Sequence, residues 1–136
     1  KIKEYLDSKK ISYQDLGNFQ FEENDDYPDW ARKVALAVQK KPQKDTGFLI
    51  CGSGLGMNIV ANKFKGVRAG LVFSGYLAKR GKEEDNLNVF VLAGDLTDEN
   101  TAFRIVEEAL SSKFSQEKKY QRRVRKIKQI EKENFK

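Results

Sequence analysis

The chain has 136 residues, a net charge of +6 and no histidine, a length that suits one compact domain with a real core. No apolar run approaches a membrane span, and a single cysteine excludes an internal disulfide, so a reducing, cytoplasmic setting is the default. Without histidine the commonest acid–base side chain and a major metal ligand are both missing, and no Cys/His cluster supports a metal site.

In chain order, Lys1 to Lys9 reads as the end of a helix, with Ile2, Tyr5 and Leu6 on one face. Residues 11–16 read as a short strand closed by Gly17, and 18–27 as a polar loop. Pro28 suits the first turn of a helix carrying Trp30, Val34, Ala37 and Val38. Gly47 to Cys51 is a strand, 54–64 a helix and 67–72 the next strand. Residues 75–83 read as a polar helix anchored by Tyr76 and Leu77. Asn88 to Ala93 is a strongly apolar strand. Asp98 can cap a helix through Phe103, Val106 and Leu110. A last helix spans about 116–133, with Tyr120, Val124, Ile127 and Ile130 on one stripe.

Strands alternating with helices imply an α/β fold, a mostly parallel sheet covered on both faces. Ligands of such sheets lie outside the carboxyl ends of the strands, which places Cys51, Phe73 and Gly94 near the functional edge. The chain opens in a helix with no strand before it and does not begin with methionine, so the expectation is that its natural beginning is missing. The charge is uneven. Residues 113–136 hold ten Lys/Arg and three Asp/Glu, leaving sixteen basic and seventeen acidic groups in the rest. The basic character therefore belongs to the tail. Tyr120 among Lys and Arg makes nucleic-acid binding conceivable, but the same helix carries an apolar stripe, and nucleic acid is the weakest of the partner readings.

The segment Cys51-Gly52-Ser53-Gly54-Leu55-Gly56-Met57 is the strongest candidate for chemistry. A strand delivers the only cysteine to a glycine-rich turn, where backbone N–H groups can approach a ligand. A thiol in such surroundings can serve as a proton-transfer group or nucleophile. The bland alternatives are a small buried hydrophobe at Cys51 and glycines that only permit a tight turn.

The segments Asp26-Tyr27-Pro28-Asp29, Ile50 to Met57, Ala61-Asn62-Lys63, Lys65 to Ala69, Asn88-Val89 and Arg122-Arg123-Val124 occur in order. Together they resemble type B ribose-5-phosphate isomerases and the related galactose-6-phosphate isomerase subunits. The resemblance implies a three-layer αβα, Rossmann-like sandwich that interconverts aldose and ketose phosphates without a cofactor. It implies a site between two subunits of a homodimer or tetramer, or of a heteromer. It puts Cys51 at the general base that moves a proton between C1 and C2. The backbone from Gly52 through Gly54 to Gly56 would stabilise the enediolate, Ser53, the second catalytic candidate beside Cys51, matches the family's hydroxyl position, and Tyr27 matches an aromatic near the sugar. Arg123 matches a phosphate-binding arginine, with Lys119 one turn earlier where another arginine is usual. Asn88 is a further candidate for substrate binding, or it only satisfies a turn.

The family's initial strand with its Asp-His pair has no counterpart here. Phe73 stands where a histidine is usual, Glu84-Asp85 where a His-Asn pair is usual, and Asp95 where an arginine is common. These departures motivate the alternative of a sugar-phosphate-binding relative that has lost catalysis or needs a partner subunit.

Overall fold

The computed structural model describes residues 1–20 and 23–135; Phe21 and Glu22, in the expected polar loop, lie outside the described residues, as does Lys136. Three parallel strands form the sheet: β1 (Gly47–Cys51), β2 (Ala69–Leu71) and β3 (Val89–Ala93), in the order β1-β3-β2. β3 is central and all five of its residues are buried, as expected for a strand covered on both faces. The helices among the described residues are α1 (Ile2–Ser8), α2 (Tyr27–Lys40), α3 (Leu55–Ala61), α4 (Gly75–Asp85), α5 (Glu99–Ser111) and α6 (Lys118–Asn134).

Alternation along β3 divides the core into two layers. Val89 and Val91 face α2 and α3, meeting Ala31, Ala35, Val38, Met57 and Ala61. Phe90 and Leu92 face the other way, onto Ala78, Ile105 and Ala109. The sandwich expected from the sequence is therefore present. Asp98 caps α5 by accepting from the Thr101 N–H at 2.7 Å, and Ser74 caps α4 by accepting from Leu77 N–H at 3.0 Å.

The expected strand over 11–16 is not one. Its polar side chains bond back to α1: Lys3 Nζ lies 2.7 Å from Asp15, and the Tyr13 hydroxyl donates to Asp7 at 3.3 Å. The Gly17 N–H donates to Asp15 Oδ1 and turns the chain. The expected strand over 67–72 is shorter, because the Arg68 N–H donates to the Asn88 side chain instead of a strand carbonyl.

Tyr76 and Leu77 are not the anchors of α4, being 70% and 40% exposed. The helix packs through its small residues instead. A methyl on Gly75 would lie 3.1 Å from Arg104 Cβ, and one on Gly81 would lie 2.4 Å from Leu87 Cδ1. With buried Ala78 between them, this row lets α4 sit close to α5 and Leu87. On α6 only Val124 of the expected stripe is buried; Ile127 and Ile130 are 41% and 63% exposed. Trp30 is half-buried at the margin of the core, with Lys33 Nζ 4.1 Å from its ring centroid. Among the described residues no helix is long and apolar enough to cross a membrane.

Candidate active site

β1 and β3 end side by side, with Cys51 opposite Ala93. Their pairing runs two residues past the sheet: the Gly94 N–H donates to the Cys51 carbonyl at 2.7 Å, and the Asp95 N–H donates to the Gly52 carbonyl at 3.1 Å. The loop that leaves Cys51 is thus pinned on one side by β3. Cys51 is half-buried, and its Sγ accepts from the Gly54 N–H at 3.1 Å. That bond curls the loop back over the sulfur and holds it at the mouth of α3.

Gly54 makes the curl possible. Its φ of +77° is in the left-handed region, where a side chain would crowd its own backbone. A methyl there would also lie 2.4 Å from Leu71 Cδ1. Ser53 Oγ accepts from the Leu55 N–H at 3.3 Å, tightening the same turn. Gly56 has a different reason to be glycine: a methyl on it would lie 2.4 Å from two ring carbons of Tyr27 and 2.7 Å from its hydroxyl oxygen. The Tyr27 ring, 49% exposed, is therefore laid over the first turn of α3. Pro28 supports that placement from the first turn of α2, which Tyr27 opens.

The fold thus brings Tyr27, Cys51, Gly52, Ser53, Gly54 and Gly56 together at the carboxyl edge. It does not bring Asn88 there. Asn88 is 1% exposed and stands at the opposite end of β3. Its Nδ2 donates to the carbonyls of Gly66 at 2.8 Å and Pro42 at 3.1 Å, while its Oδ1 accepts from the Arg68 N–H at 2.8 Å. With its side chain fully engaged, it is a strut joining three segments. The expectation that it binds substrate is corrected accordingly.

Lys119 and Arg123 also lie away from the Cys51 loop of their own chain. Both flank the Tyr120 ring, at 4.9 and 5.7 Å from its centroid. Both act on Glu84, in the last turn of α4. That carboxyl is held below the ordinary range by the Arg80 hydrogen bond first, then more weakly by the charges of Arg80, Lys119 and Arg123. α4 leaves the carboxyl edge at Ser74, so its last turn is at the far edge of the sheet. Arg68 is there too, its Nε donating to the Asn86 carbonyl at 2.8 Å. Burial lowers the pKa of Arg68, opposed by the nearby charge of Glu131.

A cavity of about 600 Å³ opens between the free edge of β2, α4 and α6, lined in part by Leu71, Leu77, Ile127 and Ile130. It does not include Cys51. The thiol and the N–H groups fixed beside it belong to the loop and not to this cavity. Asp95 also borders the loop. It reads as a lost positive charge in the sequence, but a methyl on Gly52 would lie 2.7 Å from its Oδ2. The signal available was its place two residues beyond the central strand.

A parallel αβα sandwich with a thiol and a glycine turn at its carboxyl edge defines a class of small-molecule enzymes and binding proteins. Within it, residues 1–127 match the Ribose/Galactose Isomerase family, and the chain belongs to that family of sugar-phosphate isomerases. The ribose-5-phosphate isomerase B of Mycoplasma genitalium, solved with bound ribulose-5-phosphate, is 42% identical and superposes with a TM-score of 0.90, over 96% of this chain and 86% of that one. The ribose-5-phosphate isomerase B of Thermotoga maritima is 40% identical with a TM-score of 0.86, over 94% of this chain and 86% of its own. D-erythrulose-4-phosphate isomerase of Pectobacterium atrosepticum is 34% identical over 83% of this chain and 74% of its own length.

Proposed function

We propose that the protein interconverts ribose 5-phosphate and ribulose 5-phosphate, or a closely related aldose–ketose pair such as a hexose 6-phosphate. The observation that carries this is Cys51, its Sγ held by the Gly54 N–H beneath a glycine turn that Tyr27 overlies, in a chain of this family. Cys51 thiolate removes the proton alpha to the carbonyl and returns it to the neighbouring carbon. Backbone N–H groups of the Gly52 to Gly56 loop hold the oxyanion of the enediolate, a kind of stabilisation worth several kcal/mol. Ser53 and Tyr27 contact the sugar. The reaction is an internal redox shift, so it needs no external electron acceptor, and this reading assigns no cofactor or metal. The chain has a free thiol as its proposed base, which suits the cytoplasm.

The working unit in this reading is a homodimer or a tetramer, with a heteromeric partner as the variant form. Lys119 and Arg123 are remote from their own Cys51, yet a guanidinium is well suited to bidentate phosphate contact. They serve the loop of a second chain. Exposed Leu55 and Ile59 on α3, and Ile127 and Ile130 on α6, give such an interface apolar surface to bury. A specific interface buries on the order of 1,000 Å² or more.

The test is a direct assay of aldose–ketose conversion by the wild type and by Cys51→Ala. Conversion that disappears in the variant supports the reading; equal rates would remove Cys51 from the mechanism. A folded wild type that binds a sugar phosphate without converting it would favour the catalytically degenerate alternative.

A further inference from the structure

We propose that the amino edge of the sheet carries a second ligand site, a basic cleft that takes the diphosphate group of a small molecule. The cleft, of about 250 Å³, lies between the loop after α2, the loop after α3 and the last turns of α6; its charged lining residues are Lys65, Arg68, Lys128, Glu131 and Lys132. It is remote from the Cys51 loop. Cys51 lies beside Ala93, at one end of β3, whereas the Arg68 carbonyl accepts from the Val89 N–H at the other. Those ends are about 13 Å apart at the usual strand rise. The site is therefore separate from the isomerase chemistry and does not depend on it.

The walls are fixed before any ligand arrives. The buried Asn88 side chain bonds the carbonyls of Pro42 and Gly66 and the N–H of Arg68, and all three of those residues line the cleft. Gln39 Nε2 donates to the Lys65 carbonyl at 2.8 Å, which ties the same loop to α2. On α6, positions 128, 131 and 132 share one helix face by their spacing and close the remaining side. Donors held in place in this way lose little freedom on binding.

Four cations against one carboxylate leave three positive charges in excess. Among the described residues none of the four is ion-paired. Arg68 is half-buried. Its Nε donates to the Asn86 carbonyl at 2.8 Å, and Nη1 reaches the Gly66 carbonyl only at 3.5 Å, so much of its five-donor fork is unused. Burial lowers its pKa, and Glu131 opposes that through space without a direct contact. A partly desolvated cation with no anionic partner is costly, and an anion seated in the cleft supplies the partner. The Arg68 fork suits two oxygens of one phosphoryl group, while the lysines offer point charge around it. A single phosphate leaves part of the excess unmatched; a diphosphate comes closer to balancing it. Glu131 is the one lining group that repels such a ligand. The cleft is too small for a nucleic-acid strand.

The experiment titrates the full chain with inorganic pyrophosphate, inorganic phosphate and a nucleoside diphosphate, all without metal and at about 0.15 M salt, where unspecific surface attraction is screened. Amide shifts in nitrogen–proton NMR spectra locate the ligand. Pyrophosphate should move Lys65, Gly66, Arg68 and Lys132 saturably, with a Kd of about 1 mM or tighter, and phosphate should bind at least about tenfold more weakly. The double variant Lys128→Gln, Lys132→Gln changes exposed side chains only and should weaken binding about tenfold. Arg68→Lys keeps the charge, loses the fork and should weaken it comparably. Lys126→Gln removes a charge from the same helix outside the cleft and should stay within about twofold of wild type. A nucleoside diphosphate that binds as tightly as pyrophosphate supports a site that reads the diphosphate alone; one that binds more tightly supports a nucleotide as its source. The proposal is overturned if these amides do not move at about 10 mM pyrophosphate, if phosphate binds as well, or if Lys126→Gln weakens binding as much as the double variant, which would make the tail's overall charge responsible. It is equally overturned if the shifts fall only on the Cys51 loop and vanish in Arg123→Ala.

Discussion

Replacing Gly54 by alanine should be among the most damaging single-methyl additions to this protein, and two other glycines calibrate the effect. Gly54 has φ +77°, and its added methyl would lie 2.4 Å from Leu71 Cδ1 and 3.3 Å from the Leu92 carbonyl oxygen. Left-handed backbone costs a residue with a Cβ about 1–2 kcal/mol. Overpacking adds about 1–3 kcal/mol. Leu71 Cδ1 is a flexible terminus and can move, but the Leu92 carbonyl belongs to the central strand. Alanine also restricts the unfolded chain, which offsets about 0.4–1 kcal/mol. The net expectation is a loss of about 2–4 kcal/mol, or a fall in Tm of roughly 6–20 °C for a chain of this length. Gly66 has φ +85° with nothing nearer than Pro42 at 3.6 Å, so Gly66→Ala isolates the backbone term at about 1 kcal/mol. Gly94 lies outside the left-handed region and its nearest contact is 3.5 Å, so Gly94→Ala should stay within about 0.5 kcal/mol. Thermal and urea unfolding followed by circular dichroism would rank the three. If Gly54→Ala and Gly94→Ala were equally stable, the strain and contact reasoning at the loop would be refuted.

Asn88→Ala should lower stability by about 2–4 kcal/mol, because it leaves partly buried backbone groups of Pro42, Gly66 and Arg68 without their Asn88 partner. Its KM for substrate, measured on the folded fraction, should match the wild type; a raised KM would return Asn88 to the site. Cys51→Ala and Arg123→Ala should each be inactive or nearly so. Mixing them under exchanging conditions should restore about a quarter of wild-type activity if each site draws on both chains, and a mixture no more active than its components would show that the site is not shared. Asp98 is held below the ordinary carboxylate range, first by the Thr101 backbone N–H and then by the Thr101 side chain. A depressed folded pKa contributes stability that is fully present above the unfolded value and is lost as pH falls through the folded one. Thermal midpoints of wild type and Asp98→Ala should therefore differ most near neutrality and converge in strong acid; a constant gap down to pH 2 would contradict the linkage.

Much of this molecule is written in local patterns. Residues 47–51 and 88–93 are apolar runs bounded by turn residues, and both are strands within one residue of the expected limits. Pro28 and Asp98 mark helix starts because one has its φ preset and the other can bond an unpaired N–H. Cys51 and its glycines carry their own geometry, since a positive φ and a close approach of Tyr27 each demand glycine. Other decisions depend on groups distant in sequence. Whether 11–16 pairs with a strand or bonds to α1 depends on Lys3 and Asp7, not on its own alternation. Tyr76 and Leu77 look like anchors by hydrophobicity, but α4 turned its row of Gly75, Ala78 and Gly81 inward, because closeness to Arg104 and Leu87 rewards small residues. Asn88 and Asp95 are both polar residues bordering β3, alike in the sequence. The parallel register sends one to the buried amino end, among carbonyls that need its donors, and the other to the carboxyl end, above the loop that follows Cys51. Chain composition cannot distinguish these two ends; only the direction in which β1 and β3 run together does.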